Sequence, residues 1–189
     1  MRYKIYTKER IIKAGYNIVA REGFDKFTAR NVAQELGIST QPIYLQFKNM
    51  KDLKTQVLDK VWNDIERISL TKPITGDIIV DSPVHFIELA LKKPTLYKAC
   101  WVDNNGGGDY LFAKSEEYYR EQVFKDDRFK HLSDEEFRNY HLETLIAVSG
   151  IISLQNAGII HLTHDDFVNM CKKMIDDIAK GQKLDLIRQ

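Results

Sequence analysis

Apolar residues recur along this chain at helical spacing, and no stretch alternates with the period of two that a half-buried strand shows. Thr7 caps a first helix running to about residue 22, whose inward stripe is Ile11, Ala14, Gly15, Ile18 and Val19. Gly23 ends it, and Phe24 and Phe27 plug the junction that follows. Thr28 caps a second helix through Leu36 with Val32, Ala33 and Leu36 inward, and Gly37 supplies the backbone freedom wanted just past a helix end. Ser39 caps a third, in which Pro42 occupies the first turn and Ile43 and Phe47 face the core. Asn49 opens a long fourth helix through Leu53, Val57, Val61, Trp62, Ile65 and Ile68, with Asp52 at the capping-box position.

Beyond it, Lys72-Pro73 and Gly76 break the pattern, and Ser82-Pro83 restarts a helix with Phe86, Ile87, Leu89 and Ala90 inside. Pro94 begins a short helix holding Leu96, Tyr97, Cys100 and Trp101. Asn104, Asn105 and three glycines read as a flexible loop, followed by a helix from about residue 109 to 124. Ser133 and Glu136 form a capping box that opens a helix to about Asn156, closed by Gly158. The last helix, from about residue 163 to 180, places Phe167, Met170, Cys171, Met174, Ile175 and Ile178 on one broad face. The chain reads as all-α: an N-terminal three-helix helix-turn-helix head over residues 1–50, then a helical domain over 51–189.

The third helix carries the functional signal. Its outward residues are Thr40, Gln41, Tyr44, Leu45 and Gln46, uncharged hydrogen-bonding groups where a surface helix ordinarily shows Lys and Glu. Such a helix stabilises itself poorly and suits the reading of base edges. Charge agrees. Residues 1–60 hold 12 Lys/Arg against 6 Asp/Glu, a net of +6 inside an overall charge of +1, so the remainder is acidic. A basic head on an acidic body fits a polyanion-facing module.

In order and spacing, the residues of the head resemble the TetR family of bacterial transcriptional repressors, from Thr7 to Val61. The matching elements are Ile11, Ile12 and Ala14, then Glu22-Gly23-Phe24, Thr28, Val32-Ala33, Leu36-Gly37-Ile38-Ser39, Ile43-Tyr44, Phe47-Lys48-Asn49 and Leu53. The resemblance implies a regulator that binds palindromic operator DNA as a homodimer and is released by a small-molecule effector. Carried over, it assigns Arg30, Thr40, Gln41, Pro42 and Gln46 to the major groove. Gln41 or Gln46 would pair with adenine, Arg30 with guanine, and Pro42 would touch a thymine methyl. Thr28, Tyr44, Lys48 and Lys51 are the phosphate candidates, with a half-buried ring packing the head as the other reading of Tyr44. Gln41-Pro42, Gln46 and Met50 depart from the residues commonest in the family, so its base contacts do not transfer.

The resemblance also implies that the last two helices pair with a second copy. Ala147, Gly150, Ser153 and Ala157 lay small side chains along the eighth helix, with Ile151, Ile152 and Leu154 beside them; Phe167, Met170 and Met174 add the ninth. The middle helices would hold the effector among Trp62, Phe86, Tyr97, Trp101, Phe112, Tyr119, His141 and Leu145, each of which also reads as plain core.

Other chemistry is thin. Residues 144–160 carry no charge but include Ser149, Ser153, Gln155 and Asn156 and fall short of a membrane span, so they read as a buried helix. Cys100 and Cys171 lie far apart and read as reduced thiols, and the N-terminus lacks the apolar segment of a signal peptide, which together suggest the cytoplasm. His161 and His164 beside Asp165 and Asp166 read as helix-end residues rather than metal ligands. The triple glycine lacks the preceding strand and following Lys-Ser/Thr of a phosphate loop. No catalytic constellation and no cofactor is expected. A regulator governed by a protein partner, or more remotely an all-α enzyme, are the competing readings.

Overall fold

A computed structural model describes residues 6–180 of the chain. These residues form α1 (Lys8–Glu22), α2 (Ala29–Leu36), α3 (Gln41–Gln46), α4 (Met50–Thr71), α5 (Ile78–Lys92), α6 (Pro94–Tyr97), α7 (Gly108–Val123), α8 (Asp134–Asn156) and α9 (His164–Ala179), with no strand among them. The all-α reading holds. Residues 1–5, half of the N-terminal segment on which the signal-peptide reading rests, lie outside the described residues. Two compact units emerge. One reaches to Asp64 and takes in Lys93–Leu111; the other comprises Ile65–Lys92 and the chain from Phe112 on.

In the first unit local chemistry sets the helix ends. Thr7 Oγ1 accepts from the Arg10 N–H, and Thr28 Oγ1 accepts from the Asn31 N–H at 3.2 Å. Gly37 takes the left-handed conformation, φ +66°, where its N–H meets the Ala33 and Gln34 carbonyls. Asn49 Oδ1 accepts from Asp52 N–H, and the Asp52 carboxylate accepts from Lys48 N–H, both at 3.0 Å. With eight and six residues, α2 and α3 are too short to persist alone. They are held by a core of Ile11, Ile18, Val19, Val32, Ile43, Phe47, Leu53 and Val57, all buried. The cap of α3 falls at Thr40 rather than Ser39 and makes no side-chain bond. The Thr40 backbone is already helical (φ −75°, ψ −18°), which turns its hydroxyl from the N–H groups that an extended cap residue reaches.

The same unit includes α6 and the π-helical turn Lys98–Val102 that continues it. Lys93 Nζ donates to Tyr16 Oη at 2.8 Å, and the ammonium groups of Lys60 and Lys93 lie 5.1 and 5.2 Å from the Tyr16 ring centre. The triple glycine is a packed corner and not the open loop its composition suggests. A Cβ on Gly106 would come within 2.8 Å of the Cys100 carbonyl oxygen, 2.9 Å of that of Asp103 and closer still to that of Ala99. Gly107, at φ +139°, would set one 2.5 Å from Leu58 Cδ1. Lys54 Nζ donates to the Asn105 carbonyl and lies 4.5 Å from the Phe24 ring centre.

In the second unit α5 begins at Ile78, five residues before Pro83, and not at Ser82-Pro83. Asp77 is its cap, accepting from the Ile79 N–H at 3.1 Å. The buried Asp81 carboxylate gathers the N–H groups of Ile74, Thr75 and Gly76 and the Thr75 hydroxyl. Burial pushes the Asp81 carboxyl up, but these four bonds outweigh it and hold it below its ordinary value. The start of the helix is thus fixed by a folded-back turn, with Pro83 inside the helix and not at its head. Ile79, Val80, Val84, Ile87 and Ala90 are buried, whereas Phe86 and Leu89 are only half-buried.

Capping boxes open α8 (Ser133 with Glu136) and α9 (Thr163 with Asp166). His164 Nδ1 meets Glu88 Oε1 at 2.8 Å. In the single chain α8 is not the buried helix its uncharged stretch suggests. Val148 and Ile152 are buried, but Ile146, Gly150, Ser153, Leu154 and Ala157 are exposed, and Met170 of α9 is exposed as well. No helix among the described residues is long and apolar enough to cross a membrane.

Candidate nucleic-acid interface

Ile43 and Phe47, 1% and 2% exposed, fix α3 by one edge, so its rotation about its own axis is set by the core. The rest of the helix is presented outward. Gln41, Tyr44, Leu45 and Gln46 are exposed, and Thr40 and Pro42 half-exposed. Tyr44 is 54% exposed, so its ring is reachable from solvent while nearly half of the residue stays covered by the head. Leu45 reaches 75% exposure, the highest among the exposed large apolar side chains. It was not among the expected contact residues, although its outward position is legible from the spacing.

Around α3 stand exposed groups suited to phosphate. Lys48 follows it, Lys51 lies in the first turn of α4, and Thr28 caps α2; Arg30, expected at a base edge, is exposed in the first turn of α2. The Thr28 oxygen is engaged as an acceptor by Asn31 N–H, which leaves the hydroxyl proton to donate to an anion. None of the nine expected residues is buried, seven being exposed and Thr40 and Pro42 half-exposed.

The eight expected effector residues are divided between the two units. Trp62, Tyr97 and Trp101 belong to the first unit; Trp62 is buried, and Tyr97 stacks on Trp101 with ring centres 5.9 Å apart. Phe86, Phe112, Tyr119, His141 and Leu145 belong to the second. There the His141 ring lies 5.0 Å from Phe112 and 5.4 Å from Tyr119, and Phe137 stacks at 6.1 Å. Ser115 Oγ donates to the Phe112 carbonyl at 2.8 Å and meets His141 Nε2 at 2.9 Å. The hydroxyl has one proton and a carbonyl can only accept, so Nε2 carries the imidazole proton and donates to Ser115. Tyr140 and Tyr119 are nearby phenols, both raised above their ordinary pKa by burial.

Burial lowers the His141 pKa to about 4, with a weaker opposing pull from Glu116. An unfolded histidine titrates near 6.5, so the unfolded chain binds the extra proton between these values. The stability gained by burying a neutral ring is full above pH 6.5 and is lost as pH falls towards 4. The loss is about 3 kcal/mol by pH 4. Urea midpoints measured from pH 7 to 4 should fall less steeply for His141→Gln than for the wild type. Identical slopes would remove His141 as the group responsible.

Residues 11–57 match the family model of bacterial regulatory proteins of the tetR family. No curated protein matches the chain. Among solved structures, the fatty acid degradation regulator FadR from Bacillus halodurans aligns at TM-score 0.60 and 12% identity, over 96% of this chain and 99% of its own. FadR from Bacillus subtilis, solved in complex with stearoyl-CoA, gives 0.62 and 12% over 93% and 99%. A TetR-like transcriptional regulator from Rhodococcus sp. RHA1 gives 0.56 and 12% over 95% and 100%. At such identities the likeness is one of fold.

Proposed function

We propose that the chain, whose residues 11–57 match the family model of bacterial regulatory proteins of the tetR family, is a transcriptional regulator of that type: a dimeric repressor released from a palindromic operator by a small-molecule effector. The observation that carries the DNA-reading role is the uncharged, outward face of α3, fixed from behind by Ile43 and Phe47 and flanked by Lys48 and Lys51. Residues 1–50, with Lys51 just beyond them, supply the reading surface, and the rest of 51–189 the effector and dimer functions.

Division of labour on that surface follows from chemistry. Arg30, Thr40, Gln41, Pro42 and Gln46 meet base edges; Thr28, Tyr44, Lys48 and Lys51 meet phosphates and set register. Binding by fluorescence anisotropy on the operator and on shuffled duplexes tests this. Tyr44→Phe and Lys48→Ala weaken binding to every sequence several-fold, and Lys48→Ala lowers the salt slope by about 1. Gln41→Ala costs about 1–3 kcal/mol on the operator and little on shuffled DNA. Equal losses for all three on all sequences would sink the division.

A dimer supplies two heads ~34–36 Å apart, matching successive major-groove faces of a palindrome. The outward face of α8, with Met170 and Met174 of α9, is the surface we assign to it. Ala147, Gly150, Ile151, Ser153, Leu154 and Ala157 lie on or beside that face, while Phe167 is 5% exposed and reads as core behind it. For the effector, the group around His141 in the second unit is the better candidate, with Trp62, Tyr97 and Trp101 packing the first. A structure of the same fold, FadR from Bacillus subtilis, is a complex with stearoyl-CoA, which supports a ligand-responsive body. Effector and DNA would each favour a different conformation and so weaken each other's binding.

A further inference from the structure

We infer that α3 reads a run of A·T pairs at the centre of each operator half-site, and that Leu45 is a specificity residue contacting a thymine methyl group. The inference rests on the DNA-binding reading above and adds to it the base class and one residue.

The reading face of α3 has a restricted chemistry. Guanine offers the major groove two acceptors, met best by Arg or Lys; cytosine offers an amino donor, met by Asp or Glu. Between Thr40 and Phe47 the chain has neither, because the residues are Gln41, Pro42, Ile43, Tyr44, Leu45 and Gln46. A glutamine amide, one donor and one acceptor on a plane, complements N6 and N7 of adenine. Proline and leucine offer only C–H surface, which complements the thymine C5-methyl. Gln41, Pro42, Leu45 and Gln46 therefore each match one or the other half of an A·T pair, while the hydroxyl of Thr40, the cap residue, accepts either class of pair.

Geometry puts Leu45 at the middle of that face. At 100° per residue it lies about 160° round the axis from the buried Ile43, with Gln41 one turn before it on the same side. Its 75% exposure follows from this position. An isolated exposed leucine is ordinary; one at the apex of a surface in a basic head, between a glutamine and a proline, presents an apolar probe to a groove that offers one apolar group. Six residues rise about 9 Å, which is close to three base pairs of 3.4 Å each. The run is thus about three pairs long. Arg30 sits on α2 and not on α3, so a guanine outside the run is compatible with it.

The test uses the full-length protein and a pool of randomised duplexes. Selection should return half-sites with about three adjacent A·T pairs at the centre. Each thymine is then replaced in turn by deoxyuridine, which deletes only the methyl group, and binding is read by anisotropy. For the wild type, one substitution lowers affinity about fourfold, the effect of losing one buried methyl. Leu45→Ala is indifferent to that substitution, remains sensitive at any thymine that Pro42 touches, and keeps the wild-type salt slope. Because Leu45 is exposed, the variant folds. G·C pairs at the centre of the selected half-sites, or a deoxyuridine penalty unchanged in Leu45→Ala, would overturn the inference while leaving a DNA-binding protein. Failure to select any duplex would overturn the DNA-binding reading itself, and this assignment with it.

Discussion

If the proposed dimer forms through α8, replacing Ile146 by glutamate is expected to yield a monomer and to lower operator affinity by about two orders of magnitude or more. Leu142, Ile146 and Leu154 are 38%, 44% and 41% exposed, and Met170 of α9 is 44% exposed. Leu142, Ile146 and Gly150 follow one another at four-residue spacing, so they share one side of α8 with no bulk at Gly150 to hold a facing helix away. Under two-fold symmetry each substitution enters the contact twice, and a carboxylate moved into an apolar contact costs several kcal/mol unless paired. Loss of the dimer then removes the second head, whose binding is otherwise intramolecular and contributes 10²–10⁴ in avidity. The substituted residue is exposed in the single chain, so the fold is not at stake. Light scattering at micromolar concentration and anisotropy on a palindromic duplex read the two effects. A dimeric variant with undiminished affinity would move the interface elsewhere.

Gly106→Ala should be the most damaging single methyl addition in the first unit. The new Cβ would press on three backbone carbonyl oxygens, those of Ala99, Cys100 and Asp103, none of which can turn aside like a flexible side chain. A cost of about 3 kcal/mol is at the upper end of overpacking effects. For a chain of this size it lowers Tm by about 6–12 °C. Gly108→Ala is the control, since its Cβ would meet nothing nearer than 3.6 Å. Thermal unfolding of both variants decides it; equal Tm values would mean that the corner yields.

How far the sequence announces this structure depends on how local the cause is. Thr7, Thr28, Ser133 and Thr163 act on N–H groups within three residues, so the four helix starts they cap are legible in the chain itself. The inward Ile43 and Phe47, and hence the outward residues between and around them, follow from spacing alone. The start of α5 does not, because a buried carboxylate five to seven residues on fixes the turn that precedes it, and Pro83 gives the stronger but misleading local signal. The tightness of the glycine corner is equally hidden, since its cause is the carbonyls of residues 99–103 and the Leu58 side chain. On the reading surface Gln41 and Gln46 stand out by type, whereas Leu45 passes as an ordinary helix residue until its exposure is known.

The two cysteines are placed so that the protein carries its own clocks. Cys100 lies in one compact unit and Cys171 in the other; both are buried and free, and burial pushes each thiol up to about 12. A thiol so placed is almost never thiolate at neutral pH and is shielded from reagents, so it is alkylated only when its surroundings open. Labelling of Cys100 times the openings of the head's unit, and labelling of Cys171 those of the other. Duplex DNA and any candidate effector can then be scored by which thiol each one silences.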